Sequence, residues 1–212
     1  MIQLVLLIAQ LSVCCSGLAS RPKNRIESAY DNATGKLQLI KYDSDGDGRI
    51  DTFAHMDGTR VTRLDVDVDN DGKIDRWQYY GPDRKIEKVG FSLQKDGIED
   101  AWIYVGTDGA TSRVESSPRR DGKVSRTEYY EENLLVRAEE DGDGDGRVDK
   151  WETYEGARLA IAAFDTTHRG APDRRIVYGA DQTVRVEVDS RGDGHFAPVD
   201  QPPSRRTSGA LR

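Results

Sequence analysis

Two kinds of short run alternate along the chain. In one, apolar residues take turns with charged ones, as Leu64 and Val66 do with Arg63 and Asp65, or Val184, Val186 and Val188 with Arg185 and Glu187. A period of two is the mark of a strand with one dry face and one wet face. The other run is bulky and aromatic. Its leading column is Phe53, Trp77, Trp102 and Trp151, followed three residues later by Met56, Tyr80, Val105, Tyr130, Tyr154 and Tyr178. Plain turns join the two runs, among them Asp57-Gly58, Gly81-Pro82-Asp83-Arg84, Glu155-Gly156 and Gly179-Ala180-Asp181; such residues tolerate the backbone angles tight turns require. Residues 26–30 and 36–42 flank Asn32-Ala33-Thr34-Gly35 in the same way. Helical periodicity is weak; residues 131–140 can be written as a short helix, but their place in the repeat predicts a strand.

The predicted fold is therefore all-β: an antiparallel meander of about twelve strands, with hairpins repeating and plain turns along one edge. A sheet that long must hide its apolar side. It has three ways to do so: curling into a barrel, folding into two layers, or taking a partner.

The segments that join one hairpin to the next are acidic. Residues 67–75 put Asp67, Asp69, Asp71 and Asp75 at positions one, three, five and nine, with Gly72 at six and the backbone carbonyl of Lys73 at seven. Residues 43–51 repeat this with Asp43, Asp45, Asp47, Gly48, Arg49 and Asp51, and residues 141–149 with Asp141, Asp143, Asp145, Gly146, Arg147 and Asp149. Hard oxygen donors at alternate positions around a glycine turn are what Ca2+ takes as ligands. The fifth position recurs at Asp47, Asp71, Asp96, Asp121, Asp145, Arg169 and Asp193, always 24 or 25 residues apart and always followed by glycine. Seven units of one supersecondary element account for nearly the whole chain.

These loops resemble EF-hand-like calcium loops and, in their tandem spacing, the thrombospondin type 3 repeats of secreted proteins. The resemblance covers the loops, not the hairpins. It implies calcium held by the twelve aspartates named above, and a bidentate glutamate at position twelve, where Ala54, Gln78 and Glu152 stand; only Glu152 suits that role. Nothing helical flanks the loops, so the helix-opening switch of EF-hand sensors is not implied. The remaining loops have fewer ligands: Ser92, Gln94, Asp96 and Asp100; Ser117, Arg119, Asp121 and Ser125; Asp165, Thr167, Arg169 and Asp173; Asp189, Arg191 and Asp193. The competing reading is that Asp and Gly simply make tight turns. Four aspartates in nine residues repel one another unless a cation joins them, which favours calcium.

Composition narrows the class further. With 36% hydrophobic and 33% charged residues, the 212-residue chain supports a modest core. A net charge of −7 and a pI near 5.1 argue against nucleic acid or an anionic membrane as partner. Residues 1–20 carry no charge, and residues 1–19 read as a signal peptide ending in small residues at Ala19. Cleavage there removes Cys14 and Cys15 and leaves no thiol and no transmembrane segment, placing the protein outside the cell, in the periplasm or on the surface. Leu11-Ser12-Val13-Cys14 also resembles a lipobox, an alternative in which Cys14 or Cys15 carries lipid.

The tail from Ala197, with Pro198, Pro202, Pro203 and Arg205-Arg206, reads as disordered. His55, His168 and His195 lack zinc or catalytic spacing, and no phosphate loop, serine elbow or nucleophilic cysteine is present. The expectation is a non-enzymatic, bacterial-type calcium-binding repeat protein with a structural or adhesive role, whose partner is a surface protein or polysaccharide. The alternative is a calcium-supported carbohydrate-binding module, with Trp77, Trp102, Trp151, Tyr79, Tyr104 and Tyr129 as a stacking platform in place of core.

Overall fold

The computed structural model describes residues 25–199, which contain fifteen β-strands and no helix. The leader over residues 1–19, with Cys14 and Cys15, lies outside them, as does the tail beyond residue 199. The strands are β1 (Ile26–Tyr30), β2 (Leu37–Tyr42), β3 (Thr52–Asp57), β4 (Arg60–Val66) and β5 (Arg76–Tyr80). They continue as β6 (Ile86–Phe91), β7 (Ala101–Val105), β8 (Thr111–Ser116), β9 (Arg126–Glu131) and β10 (Leu134–Glu140). The last are β11 (Lys150–Glu155), β12 (Arg158–Phe164), β13 (Arg174–Tyr178), β14 (Val184–Val188) and β15 (Ala197–Pro198).

All fifteen form a single antiparallel sheet in chain order. Seven hairpins supply fourteen strands rather than about twelve, and the fifteenth begins at Ala197, where β15 pairs with β14. The ends do not meet: β1 pairs only with β2, and β15 only with β14. Within 8 Å in Cα distance each strand meets only its sequence neighbours among the described residues. The sheet is thus an open meander, neither a closed barrel nor one whose strands double back onto others at that range.

The first six hairpins share one irregularity. Gln38, Thr62, Glu87, Ser112, Val136 and Ala160 are each skipped in the pairing of their hairpin, so a β-bulge falls at the same place in all six. A bulge adds right-handed twist. The seventh hairpin, β13–β14, runs without one.

Register decides which residues share a face. Phe53, Asp65, Trp77, Gly90, Trp102, Glu115, Thr127, Glu139 and Trp151 are successive partners in one row across the sheet. The tryptophans therefore sit among the carboxylates, on the side opposite Leu64 and Val66. In the next row tyrosines alternate with cations: Lys88 lies 4.0 Å from the centre of the Tyr79 ring, Arg113 4.0 Å from Tyr104 and Arg137 3.7 Å from Tyr129. Their hydroxyls donate to Glu99, Glu115 and Glu139. Such a face is held by cation–π and ionic contacts as much as by burial.

The opposite face carries Ala54, Leu64, Val89, Ile103, Val114, Ala138 and Ala162 in register. It is interrupted at β9–β11 by a charged network. Arg126 donates to Glu128 (2.9 Å), Glu140 (3.2 Å) and Glu152 (2.8 Å), and Lys150 bridges Glu140 and Glu152. Among the described residues only eight apolar ones are buried, six of them alanines. With no second layer packed over the sheet among the described residues, little else is buried.

Candidate metal centre

The acidic loops lie along one edge of the sheet, and their shape follows from two left-handed residues in each. Position six is glycine at φ +76 to +94°, with Gly48 at 94°, Gly72 at 90° and Gly146 at 91°; side chains rarely adopt this conformation. Position four is left-handed too, at Gly46, Asn70, Lys95, Arg120, Gly144, His168 and Gly192. The chain curls around the side chain at position one, which is buried in all seven loops: Asp43, Asp67, Ser92, Ser117, Asp141, Asp165 and Asp189. Where that residue is aspartate, it accepts the N–H of the position-six glycine, as Asp43 does from Gly48 (2.8 Å), Asp67 from Gly72 (2.8 Å) and Asp141 from Gly146 (3.0 Å).

Position nine closes the loop from the other side. Asp51 accepts the N–H of Ser44, Asp75 that of Val68 (2.8 Å) and Asp149 that of Gly142 (2.9 Å). Position five accepts the N–H of position seven, so Arg49, Lys73 and Arg147 donate to Asp47, Asp71 and Asp145. Adjacent loops are then joined directly. The position-one N–H of each donates to the position-nine carbonyl of the loop before it, from Asp67 to Asp51, Ser92 to Asp75, Ser117 to Asp100, Asp141 to Ser125, Asp165 to Asp149 and Asp189 to Asp173.

These bonds bring the carboxylates together. Asp43, Asp45 and Asp51 form one group, Asp67, Asp69 and Asp71 a second, and Asp141, Asp143 and Asp149 a third, each with oxygens within 4.8 Å of one another. Asp47 stays outside the first group and faces the next loop, where the Asn70 amide donates to it and to Asp45. Asp75 stays outside the second; it is 6% exposed, and its Oδ1 is buried with no hydrogen-bond partner. Asp145 joins Asp143 and His168 instead.

Glu152 is not brought to the fifth loop. It lies in β11, where strand alternation turns it onto the sheet face, and with no helix after the loop nothing folds position twelve back to the ligands. Burial pushes its pKa up, but hydrogen bonds from Lys150, Arg126 and Tyr154 outweigh that and hold it at about 2, against an ordinary 4.5.

Cationic side chains and one histidine reach from loop to loop; Arg119 donates to the Asp141 carbonyl at 2.9 Å and lies 3.5 Å from Asp141 Oδ2. Lys95 donates from Nζ to Asp69 Oδ2 at 2.9 Å, and this bond, then the charge of Asp69, holds the ammonium above its ordinary pKa. Arg120 reaches Asp96, and Arg169 reaches Asp189 Oδ2 at 3.0 Å. His168 Nδ1 lies 3.5 Å from Asp143 Oδ2. In Asp189 burial acts upward, but the N–H groups of Gly194 and Gly192 and then Arg169 prevail, leaving its pKa at about 2. Sequence reasoning missed these pairings because the partners are 20 to 26 residues apart. The period itself was the available signal, since it makes equivalent positions spatial neighbours.

Neither family models nor curated proteins match the chain. The donor set must speak for itself: three groups of carboxylate oxygens, with a further buried carboxylate oxygen unpartnered at the second, fit a hard divalent cation rather than a soft one.

Proposed function

We propose that the chain is a non-enzymatic, secreted or surface-attached calcium-binding repeat protein in which the ion has a structural role. The observation that carries this reading is the convergence of three carboxylates in each of three loops, at 43–51, 67–75 and 141–149. Asp43, Asp45 and Asp51, Asp67, Asp69 and Asp71, and Asp141, Asp143 and Asp149 would hold the ions. Calcium would cancel the mutual repulsion of each group and stiffen the loop that sets the register between hairpins. Because no glutamate completes the ligand set at position twelve, affinity belongs at the weak, extracellular end, roughly 0.1 to 1 mM. A chain of stiffened hairpins suits a structural or adhesive role, and the partner expected for it is a surface protein or polysaccharide.

The carbohydrate-binding alternative is less favoured. One face of the rings of Tyr79, Tyr104 and Tyr129 is already covered by the protein's own cations, and Trp77 is buried.

The test is calorimetric calcium titration of the chain beside Asp45→Ala and Asp143→Ala. Two or three sites in the parent, each variant losing one, support the reading. No binding at millimolar calcium leaves the aspartates as turn residues only.

A further inference from the structure

The first three loops are each overhung by the fourth residue of the loop that follows, and the charge of that residue differs from site to site. Over the first loop stands Asn70, a neutral amide whose nitrogen donates to Asp45 Oδ2 (3.2 Å) and Asp47 Oδ2 (3.1 Å). Over the second stands Lys95, whose ammonium meets Asp69 Oδ2 at 2.9 Å. Over the third, Arg120 pairs with Asp96 and approaches Asp100 at 3.7 Å. The backbone at the three overhanging residues is alike, at φ 60°, 53° and 58°, so the side chain alone makes the difference.

We propose that Lys95 is a built-in competitor for the cation of the second loop, so that this loop binds a divalent ion only by displacing the ammonium, whereas the first loop binds without that step. The proposal rests on the calcium reading and assigns unequal affinities within it. An ammonium and a divalent ion repel each other at such short range, and Asp69 serves one or the other. Yet the loop is not satisfied by its lysine. Asp75, 94% buried when its 6% exposure is subtracted from the whole, has one oxygen on the Val68 N–H and the other on nothing. The ammonium, hydrogen-bonded to Asp69, leaves that inner oxygen without a partner. Lys95 is also free to leave, since its side chain is 56% exposed, on a flexible stem. Arg120 is more enclosed, at 23%, and closes the third loop rather than gating it.

The experiment is calcium titration of the full chain and four variants. Lys95→Asn places at the second loop the residue found over the first, in a backbone conformation asparagine tolerates. It is expected to tighten one site by about tenfold, the size of the repulsion removed in a largely aqueous setting. Lys95→Arg, which keeps the charge, should leave that site weak. Asp71→Asn combined with Lys95→Asn should abolish the tightened site and so assign it to the second loop. The reciprocal Asn70→Lys should weaken one site by a similar factor. Calcium binding by the parent with affinities unmoved by Lys95→Asn overturns the proposal and leaves the calcium reading standing. No calcium binding by the parent or by Lys95→Asn overturns both.

Discussion

Gly72 shows how much one backbone angle can carry. At φ +90° it lets the loop return so that its N–H reaches Asp67, and a Cβ there would touch nothing within 4 Å. The cost of Gly72→Ala is therefore conformational rather than steric. It is expected to be about 1 kcal/mol in calcium-free urea unfolding, with no sign of overpacking. Asp43 is the reverse case, a fully buried side chain whose two oxygens accept the N–H groups of Gly46 and Gly48. Asp43→Ala strands both donors and should destabilise by about 2 kcal/mol even without calcium.

Glu152 offers a pH test. Its pKa in the folded chain is lowered to about 2 from 4.5, so its contribution is present above pH 4.5 and is lost as pH falls from there toward 2. The contribution is about 3 kcal/mol at most. Glu152→Gln should remove it and flatten the pH dependence of stability across that window, as read by urea unfolding at a series of pH values.

The hairpin with its acidic loop is the unit of construction, and it touches only its neighbours. Pairing runs strictly in chain order, and every loop is stitched to the one before by the same N–H to carbonyl bond. Stability in such an array is a sum of units and interfaces. Excising residues 92–116, one loop and one hairpin, joins Phe91 to Ser117, which stands at position one of its own loop. The shortened chain should fold with its β-type circular dichroism intact and unfold with a smaller urea m-value, because less surface is exposed. Excising twelve residues instead should break the array, since an unpaired strand and half a loop would remain.

Over the described residues the molecule is a long sheet with a thin core, β1 and β15 as its edge strands and a row of carboxylate groups along one side. Its stability should consequently depend on what binds that side. Calcium at a hundredfold over its dissociation constant should add about 2.7 kcal/mol for each filled site, and EDTA should remove the gain, visible as a lower melting temperature by calorimetry. A sheet whose faces carry Tyr–Lys and Tyr–Arg stacks and an Arg126–Glu152 network has replaced part of the usual apolar core with polar contacts.

Local pattern was enough to reveal the hairpin, the period and the acidic clusters of the loops. Alternation along Val184–Val188 needs only the pleat of one strand, and the spacing of Asp67, Asp69 and Asp71 needs only one turn around Gly72. Three features depended on register between strands and lay beyond that reach. Trp77 and Trp102 came to share a row with Asp65 and Glu115, although aromatic and acidic runs look segregated in the chain. Glu152 went to the sheet face because strand continuation, not ligand spacing, governs a residue just after a loop, and His168 came beside Asp143 because equivalent loops are neighbours along the edge. The open form of the sheet was likewise undecided by any single unit. It follows from the pairing of each strand with its neighbours alone, across fifteen strands whose first and last never meet.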